Sequence, residues 1–269
     1  MLLKKQFSFF LSSDPESGAT NVAADGSSFQ VNLNSPIMIP PNAVSAELSV
    51  IQANVWNDSA NISATFENNV FNFTTDHSGV PVEYNYVIPD GLYSLSALNA
   101  YLATQFVNSG LPANLITITG DSATQKTVLT FLIAGDFCDF TVADSVREIL
   151  GFDSRVAPNA PQVAGWNEFS DNPAQFNRTN SYLIESDIVS EGIPVNTFNQ
   201  GIIASVPIDV APGSQIVYQP RTPLVVDATE LIGSTKQQIQ VRLLNQSLEQ
   251  APTNEIFSVV INMVYYIPV

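Results

Sequence analysis

Charge is scarce in this chain. Asp, Glu, Lys and Arg make up 13% of its 269 residues, about half of the usual ~25%. The charge that is present has mostly one sign: 25 acidic residues face 9 basic ones, a formal net charge of −16. Such a surface does not wrap nucleic acid, because neutralising phosphates takes a basic patch. It also disfavours adsorption to an anionic membrane. Long apolar runs are missing, so no segment reads as a bilayer span. The opening MLLKKQFSFFLSS is interrupted by Gln6 and Ser8, which makes it too short and too alternating for a signal peptide. The single cysteine, Cys138, excludes an intrachain disulfide. Set between Phe137 and Phe140, it reads as a buried, inert thiol.

The groups that usually carry chemistry are equally sparse. His77 is the only histidine and sits in the turn sequence Asp76-His77-Ser78-Gly79. That leaves little room for a Ser-His-Asp or Cys-His site, and one Cys with one His cannot build a structural zinc site. Acidic residues cluster at Asp14, Glu16 and Asp25, and at Glu185, Asp187 and Glu191, without the spacing of a calcium loop. Paired carboxylates for glycoside hydrolysis stay open, since such pairs are spatial and leave no sequence spacing. There is no phosphate-cradling glycine pattern. Asn57-Asp58-Ser59, Asn61-Ile62-Ser63 and Asn72-Phe73-Thr74 match the glycan acceptor pattern and read as chance in an Asn-rich chain. No cofactor, metal or catalytic residue is assigned.

What is present is strand patterning, broken once. Residues 86–152 leave it for an α+β pattern. Leu95, Leu98, Leu102 and Phe106 fall at helical spacing on one face, with Ser94 as the N-cap and Gly110 and Pro112 as stops. Ile116 to Ile133 reads as a hairpin turning at Gly120-Asp121-Ser122. Ser145-Val146-Arg147-Glu148 reads as a capping box opening a short helix that ends at Gly151. Ile149, Leu150 and Phe152 are expected to pack with the first helix face.

On either side, residues 1–85 and 153–269 read as strands and turns. Phe7 to Leu11 is a weak strand, and Ser12 to Ser27 reads as a loop or mobile arm. Phe29-Val31-Leu33 alternate cleanly, and Ala46 to Trp56 is a longer strand. Asn61 to Phe66 and Val70 to Thr75 read as a hairpin around Asn68-Asn69. Asp153 to Asn180 is loop-rich and carries Trp166, Phe169 and Phe176. These aromatics pack on the chain's own sheet or insert into a neighbouring subunit. Strands follow at Tyr182–Ser186, Gly201–Ile208, Ser214–Tyr218, Leu224–Val226, Gln238–Leu244 and Ile256–Tyr266. Turn signals every ~8–12 residues match a sandwich, a barrel or a jelly roll. The fold class is therefore all-β, a discontinuous scaffold of one of these kinds with a small α+β insertion of helix, hairpin and short helix. A large β chain of low charge and many aromatics, with no reactive site, is better suited to offering surfaces than to catalysis.

That organisation resembles a known family. The pieces are Phe29-Gln30-Val31-Asn32-Leu33-Asn34 with Ile39-Pro40-Pro41-Asn42-Ala43, then Ile88-Pro89-Asp90-Gly91-Leu92-Tyr93 before a helix. Asp144-Ser145-Val146-Arg147-Glu148-Ile149-Leu150-Gly151-Phe152 and a Pro-rich run of strands complete it. The whole is similar to the minor capsid, or penton, proteins of icosahedral double-stranded DNA viruses with double-jelly-roll major capsid proteins, as in polinton-like viruses and virophages. The resemblance implies that the β scaffold is a jelly-roll sandwich, with a virion location at the capsid vertex and assembly in a host cell as a homopentamer. It further implies contact with the major capsid protein and a role as base for a receptor-binding spike or fibre. Other readings of the same residues are a receptor- or carbohydrate-binding spike module, a small jelly-roll major capsid subunit, and a β-sandwich hydrolase.

Overall fold

The structure, a computed structural model, describes residues 1–176, 179–195 and 200–269. The chain forms two compact units. One joins Met1–Ser59 to Thr179–Val269, and the other is Ala60–Arg178.

Eight strands build the first unit: β1 (Leu2–Ser12), β2 (Ser28–Met38), β3 (Ser45–Trp56), β4 (Ser181–Ser186), β5 (Ile202–Pro207), β6 (Gln215–Tyr218), β7 (Thr235–Leu244) and β8 (Ser258–Pro268). One sheet has the order β1-β8-β3-β6, and the other runs β5-β4-β7-β2. Short strands extend both: Val225–Asp227 also pairs with β3, and Ala19–Thr20 pairs with β2. All these pairs are antiparallel. First pairs with eighth, second with seventh, third with sixth and fourth with fifth. An eight-stranded hairpin wrapped into two sheets has this order, which is the jelly roll.

Local sequence explains which residues face inward. In β8, Val259, Ile261 and Met263 alternate into the core with Asn262 between them. In β3 the buried phase is Ala46, Leu48, Val50 and then Ala53, Val55. The switch falls where Val260 pairs with Gln52 but Ile261 pairs with Val50. Ile51 is thus the extra residue of a β-bulge, and one added residue inverts the period-two pattern. Phe29 from one sheet meets Phe257 from the chain leading into the other, edge to face with ring centroids 5.0 Å apart. Burying a phenylalanine of this kind contributes about 1.5–3 kcal/mol.

The second unit carries a four-stranded sheet ordered Val156–Ala157, Phe137–Asp139, Val70–Thr75, Val82–Val87. It also carries a three-stranded sheet ordered Trp166–Pro173, Lys126–Phe131, Ile116–Gly120. Helix α1 (Leu95–Asn108) is capped by Ser94, whose hydroxyl accepts the Ala97 N–H. Leu98, Leu102 and Phe106 are fully buried, and Leu95 is partly buried against the same cluster. Phe106 packs edge to face on Phe73 at 5.2 Å. Asn99 accepts the Ile118 N–H at 2.7 Å, which ties α1 to the edge of the three-stranded sheet. Helix α2 (Arg147–Leu150) places Ile149 and Leu150 in that core, with Phe152 beside them. Stacking of Phe152 on Phe140 at 4.5 Å holds it there. Cys138 is buried in the same cluster, and burial pushes its thiol well above the ordinary range.

Several expectations change. The compact unit reaches beyond 86–152 on both sides, because strand pairs cross those limits. Val70–Thr75 pairs with Val82–Val87 and with Phe137–Asp139, and Trp166–Pro173 pairs with Lys126–Phe131. A sheet is not divided between hydrogen-bonded neighbours. Asn61 to Phe66 is no strand. Its backbone is held by side-chain amides: Asn68 accepts the Ser63 N–H and donates to the Asn61 carbonyl, while Asn61 donates to the carbonyls of Tyr93 and Phe176. Val70–Thr75 turns at residues 76–79 instead. The capping box shifts by one residue, with Val146 as the N-cap and the Ser145 hydroxyl accepting the Arg147 N–H at 3.4 Å. The stretch expected as a mobile arm is bound: Asp14 caps a 3-10 turn at Pro15–Ser17 and Ala19 pairs with Val31. Asp153–Asn180 contains the strand Trp166–Pro173. Asn177 and Arg178 of that stretch lie outside the described residues.

The α1 face yields a direct test. Leu102→Ala removes a fully buried side chain and is expected to cost about 2–5 kcal/mol. Val107→Ala, at an exposed position, should stay within about 0.5 kcal/mol. Urea unfolding of both variants measures the contrast, and equal midpoints would refute the buried face.

Candidate interaction surface

Exposed aromatic residues, rather than polar clusters, mark the second unit's surface. Trp166 and Phe169 lie on the edge strand Trp166–Pro173, 38% and 51% exposed. Trp166 pairs with Phe131, whereas Phe169 pairs with Val128. Residues an odd number apart on a strand point to opposite faces, so the two rings present both sides of one edge. Phe176 is placed differently: it is partly buried and packs against the core of its own unit.

An ionic network holds this edge. The Arg155 guanidinium donates to Glu168 Oε1 and to Asp171 Oδ2, both at 2.9 Å. It also donates to the Phe169 carbonyl at 3.4 Å and stands 5.5 Å from the centre of the Phe152 ring. The Trp166 indole N–H donates to the other oxygen of Glu168 at 2.9 Å. Partial burial opposes charge on Arg155 and Asp171 alike. Their hydrogen-bonded pairing overcomes it, raising the arginine and lowering the aspartate relative to their ordinary values. The network ties the Trp166 indole and the Phe169 backbone to Arg155.

The acidic residues have structural partners. Glu185 pairs with Arg242 at 2.8 Å, and Asp187 pairs with Lys236 at 3.1 Å. Asp25 accepts the backbone and hydroxyl hydrogens of Ser27. Glu191 is exposed. Among the described residues no three His, Cys, Asp or Glu side chains gather as a metal site would need. His77 donates its backbone N–H to the Thr75 hydroxyl inside its turn. Two open clefts, of about 470 and 560 Å³, are lined by Glu185, Asp187 and Arg242, and by Asp144, Arg147 and Glu148 respectively. Asn57, Asn61 and Asn72, the candidate glycan acceptors, are buried with their amides donating to Val210, to Tyr93 and Phe176, and to Glu83. An amide committed in this way is not open to modification.

Two polar groups of the first unit are shielded from solvent. Tyr182 is fully buried, and the partly buried Asp58 has one carboxylate oxygen, Oδ1, that meets no hydrogen-bond donor among the described residues. The other carboxylate oxygen of Asp58 accepts from Asn254 N–H at 2.8 Å and from the Thr253 hydroxyl at 3.0 Å. Burial pushes the Tyr182 phenol up to about 12; the Ser59 backbone draws it down and the Asp58 carboxylate pushes it further up. Burial likewise raises Asp58 above the ordinary carboxylate value.

No protein-family model matches the chain, and no curated protein does. Among solved structures, the crystal structure of selenomethionine-labelled mavirus penton protein aligns with a TM-score of 0.50 at 8% identity. The alignment covers 97% of this chain and 99% of that one. The chain has the penton-protein fold. At 8% identity the likeness is one of architecture, and it spans both compact units. The all-β class read from strand spacing, and the jelly-roll sandwich with an α+β insertion that the resemblance implied, are the observed fold. The fold that the sequence resemblance implies and the fold of this neighbour agree. Sequence reasoning picked out the aromatics of residues 166–176 but not Arg155, whose role appears only when residues 152, 168 and 171 are brought around it. Tyr182 and Asp58 were equally silent, since neither breaks the strand pattern.

Asp58 generates a pH-dependent prediction. Its folded value is raised, so folding favours the neutral acid. The stabilisation is complete below about pH 3.8 and is lost as pH rises through the folded value. Asp58→Asn keeps an acceptor for Asn254 and removes the partly buried charge. It should raise Tm at about pH 7, with the gain disappearing near about pH 3. Differential scanning calorimetry across that range is the measurement, and a pH-independent loss of stability would contradict the reading.

Proposed function

We propose that this chain is a penton-type minor capsid subunit that forms a homopentamer at the five-fold vertex of an icosahedral virion. One observation carries the reading: a jelly roll interrupted between β3 and β4 by an α+β unit, aligned nearly end to end with a penton protein. The physical character of the surface supports it. A vertex subunit acts through faces and edges, which need aromatic anchors more than reactive groups. Trp166 and Phe169, displayed on the edge held by Arg155, are the proposed anchors for a neighbouring subunit. The surrounding major capsid protein is the proposed heterologous partner. An acidic exterior keeps released particles from adhering to one another and to nucleic acid. The unit inserted between β3 and β4 is the candidate base for a receptor-binding spike.

Light scattering on the purified chain tests the core of this. A species of five chains is expected. Trp166→Ala with Phe169→Ser should leave the chain folded, with a cooperative melt, since neither ring belongs to the unit's buried core. The same pair should weaken capture by double-jelly-roll major capsid protein at least tenfold. A lasting monomer that binds an immobilised glycan panel would support the spike-module reading and defeat the vertex one.

A further inference from the structure

A sheet edge presents unpaired backbone groups, and folded proteins shorten, bulge, cap or cover such edges. Among the described residues most edges are treated in one of those ways. Val156–Ala157 and Ala19–Thr20 are two residues each. Gln215–Tyr218 and Val225–Asp227 divide one edge into strands of four and three residues. Trp166–Pro173 has a register shift, and Arg155 covers its Phe169 carbonyl. The Ile118 N–H donates to Asn99, and the Val87 carbonyl accepts from the Tyr101 hydroxyl. The Ile202 carbonyl of β5 accepts from Ile193 N–H.

Strand β1 is different. It ends its sheet on one side, is eleven residues long and pairs with β8 without a register shift. At its two ends Ser13 N–H donates to the Phe257 carbonyl and Val269 N–H to the Met1 carbonyl. In an antiparallel pair the bonded positions alternate, so the odd-numbered residues of β1 bond to β8. The N–H and C=O groups of Leu2, Lys4, Gln6, Ser8 and Phe10 point to the free side. Among the described residues no hydrogen bond reaches them.

The side chains around that row define what fits it. Phe7 and Phe9 lie half-buried against the core, their ring centroids 6.2 Å apart. A strand added beside β1 would bring alternate side chains against them. Lys4 and Lys5 stand toward one end, and residues 1–13 contain no acid. Lysine on an edge guards against pairing. A guard of one sign is also a selector: it repels a basic strand and attracts an acidic one. Two copies of β1 laid together, parallel or antiparallel, would bring both lysines of each copy and no acid to one seam. The other edges of this chain match β1 poorly in length. Among the described residues the longest is Trp166–Pro173, with eight residues and a register shift.

We propose that the β1 edge is a docking site for an extended segment of a different polypeptide. That segment alternates apolar with polar residues and carries acidic residues at the end that meets Lys4 and Lys5. It adds to the sheet as a further strand. Its backbone bonds the outward groups of β1, its apolar side chains cover Phe7 and Phe9, and its acids pair with the lysines. Backbone pairing supplies affinity in this mode of recognition, and alternate side chains supply specificity. Neither five-fold assembly nor the Trp166 edge enters into it.

The probe is a fluorescent synthetic peptide as long as β1, alternating valine with threonine and carrying glutamates at one end, made in both sequence directions. The same peptide with lysines in place of the glutamates is its counterpart. Fluorescence anisotropy with the full chain should show one direction of the glutamate peptide binding roughly tenfold more tightly than its lysine counterpart. In that complex, amide exchange at Leu2, Lys4, Gln6, Ser8 and Phe10 should slow by roughly tenfold or more. Lys4→Glu with Lys5→Glu should transfer the preference to the lysine peptide. Ser8→Pro removes one outward N–H and leaves the β8 ladder intact, as proline at an edge allows. It should stay folded and weaken peptide binding. Equal binding of the two peptides, binding of neither, or binding without protection of those amides overturns the proposal. So does protection of the same amides in the chain alone as its concentration rises, which makes a second copy the occupant. A chain that forms no five-chain species yet binds the glutamate peptide with those amides protected supports the docking edge and removes only the vertex reading.

Discussion

Strand β8 lies between β1 and β3, and the first sheet exists only through it. The β1–β8 ladder joins the two ends of a 269-residue chain residue for residue. The β8–β3 ladder joins positions more than 200 residues apart. Such contacts carry the full loop-closure cost before they return any stability. What offsets it is a continuous apolar layer: Leu11, Val259, Ile261, Met263, Leu48 and Val50 against Phe29, Val241, Leu243 and Ile184 of the second sheet. Remove β8 and β1 has no partner, while β3 loses its longest one.

Nesting of pairs makes the insertion possible. In a jelly roll each strand finds its partner from the far side of the hairpin, so the loop between the third and fourth strands is an outer connection. It can be opened without breaking a ladder. Ala60–Arg178 occupies that opening with its own core, built on Phe71, Phe73, Leu102, Phe106, Leu129 and Phe131. Buried asparagines tie its irregular backbone. Asn61, Asn68 and Asn69 satisfy carbonyl and amide groups that no strand reaches. This is the requirement that buried backbone polar groups find partners, met with neutral side chains where charged ones would be costly to desolvate. It accounts for an Asn-rich composition better than glycosylation does.

Low charge and long edges belong together. A chain with few charged residues has fewer means of blunting its sheet edges, and this one blunts them locally, with Arg155, Asn99, Tyr101 and a bulge. The outward row of β1 is where that economy leaves backbone groups open.

The sequence by itself determined the strand content, the α+β character of residues 86–152, the inward face of α1 and the scarcity of reactive groups. These are local properties: a period of two or 3.6, a cap, a turn residue or a count is complete within a few positions. The penton resemblance was legible for the same reason, in short turn and helix-end motifs such as Ile88–Tyr93 and Ile149–Phe152. Only the tertiary structure decided that β1 pairs with β8 and that Ile51 is a bulge inverting the phase of β3. It also decided that Trp166–Pro173 is a strand, that the second unit extends to residues 60–178, and that Arg155 organises the aromatic edge. Each of those depends on which distant segment supplies the hydrogen-bonding partner. A strand carries the same alternation whichever neighbour it meets, so pairing is settled only when the whole core is packed.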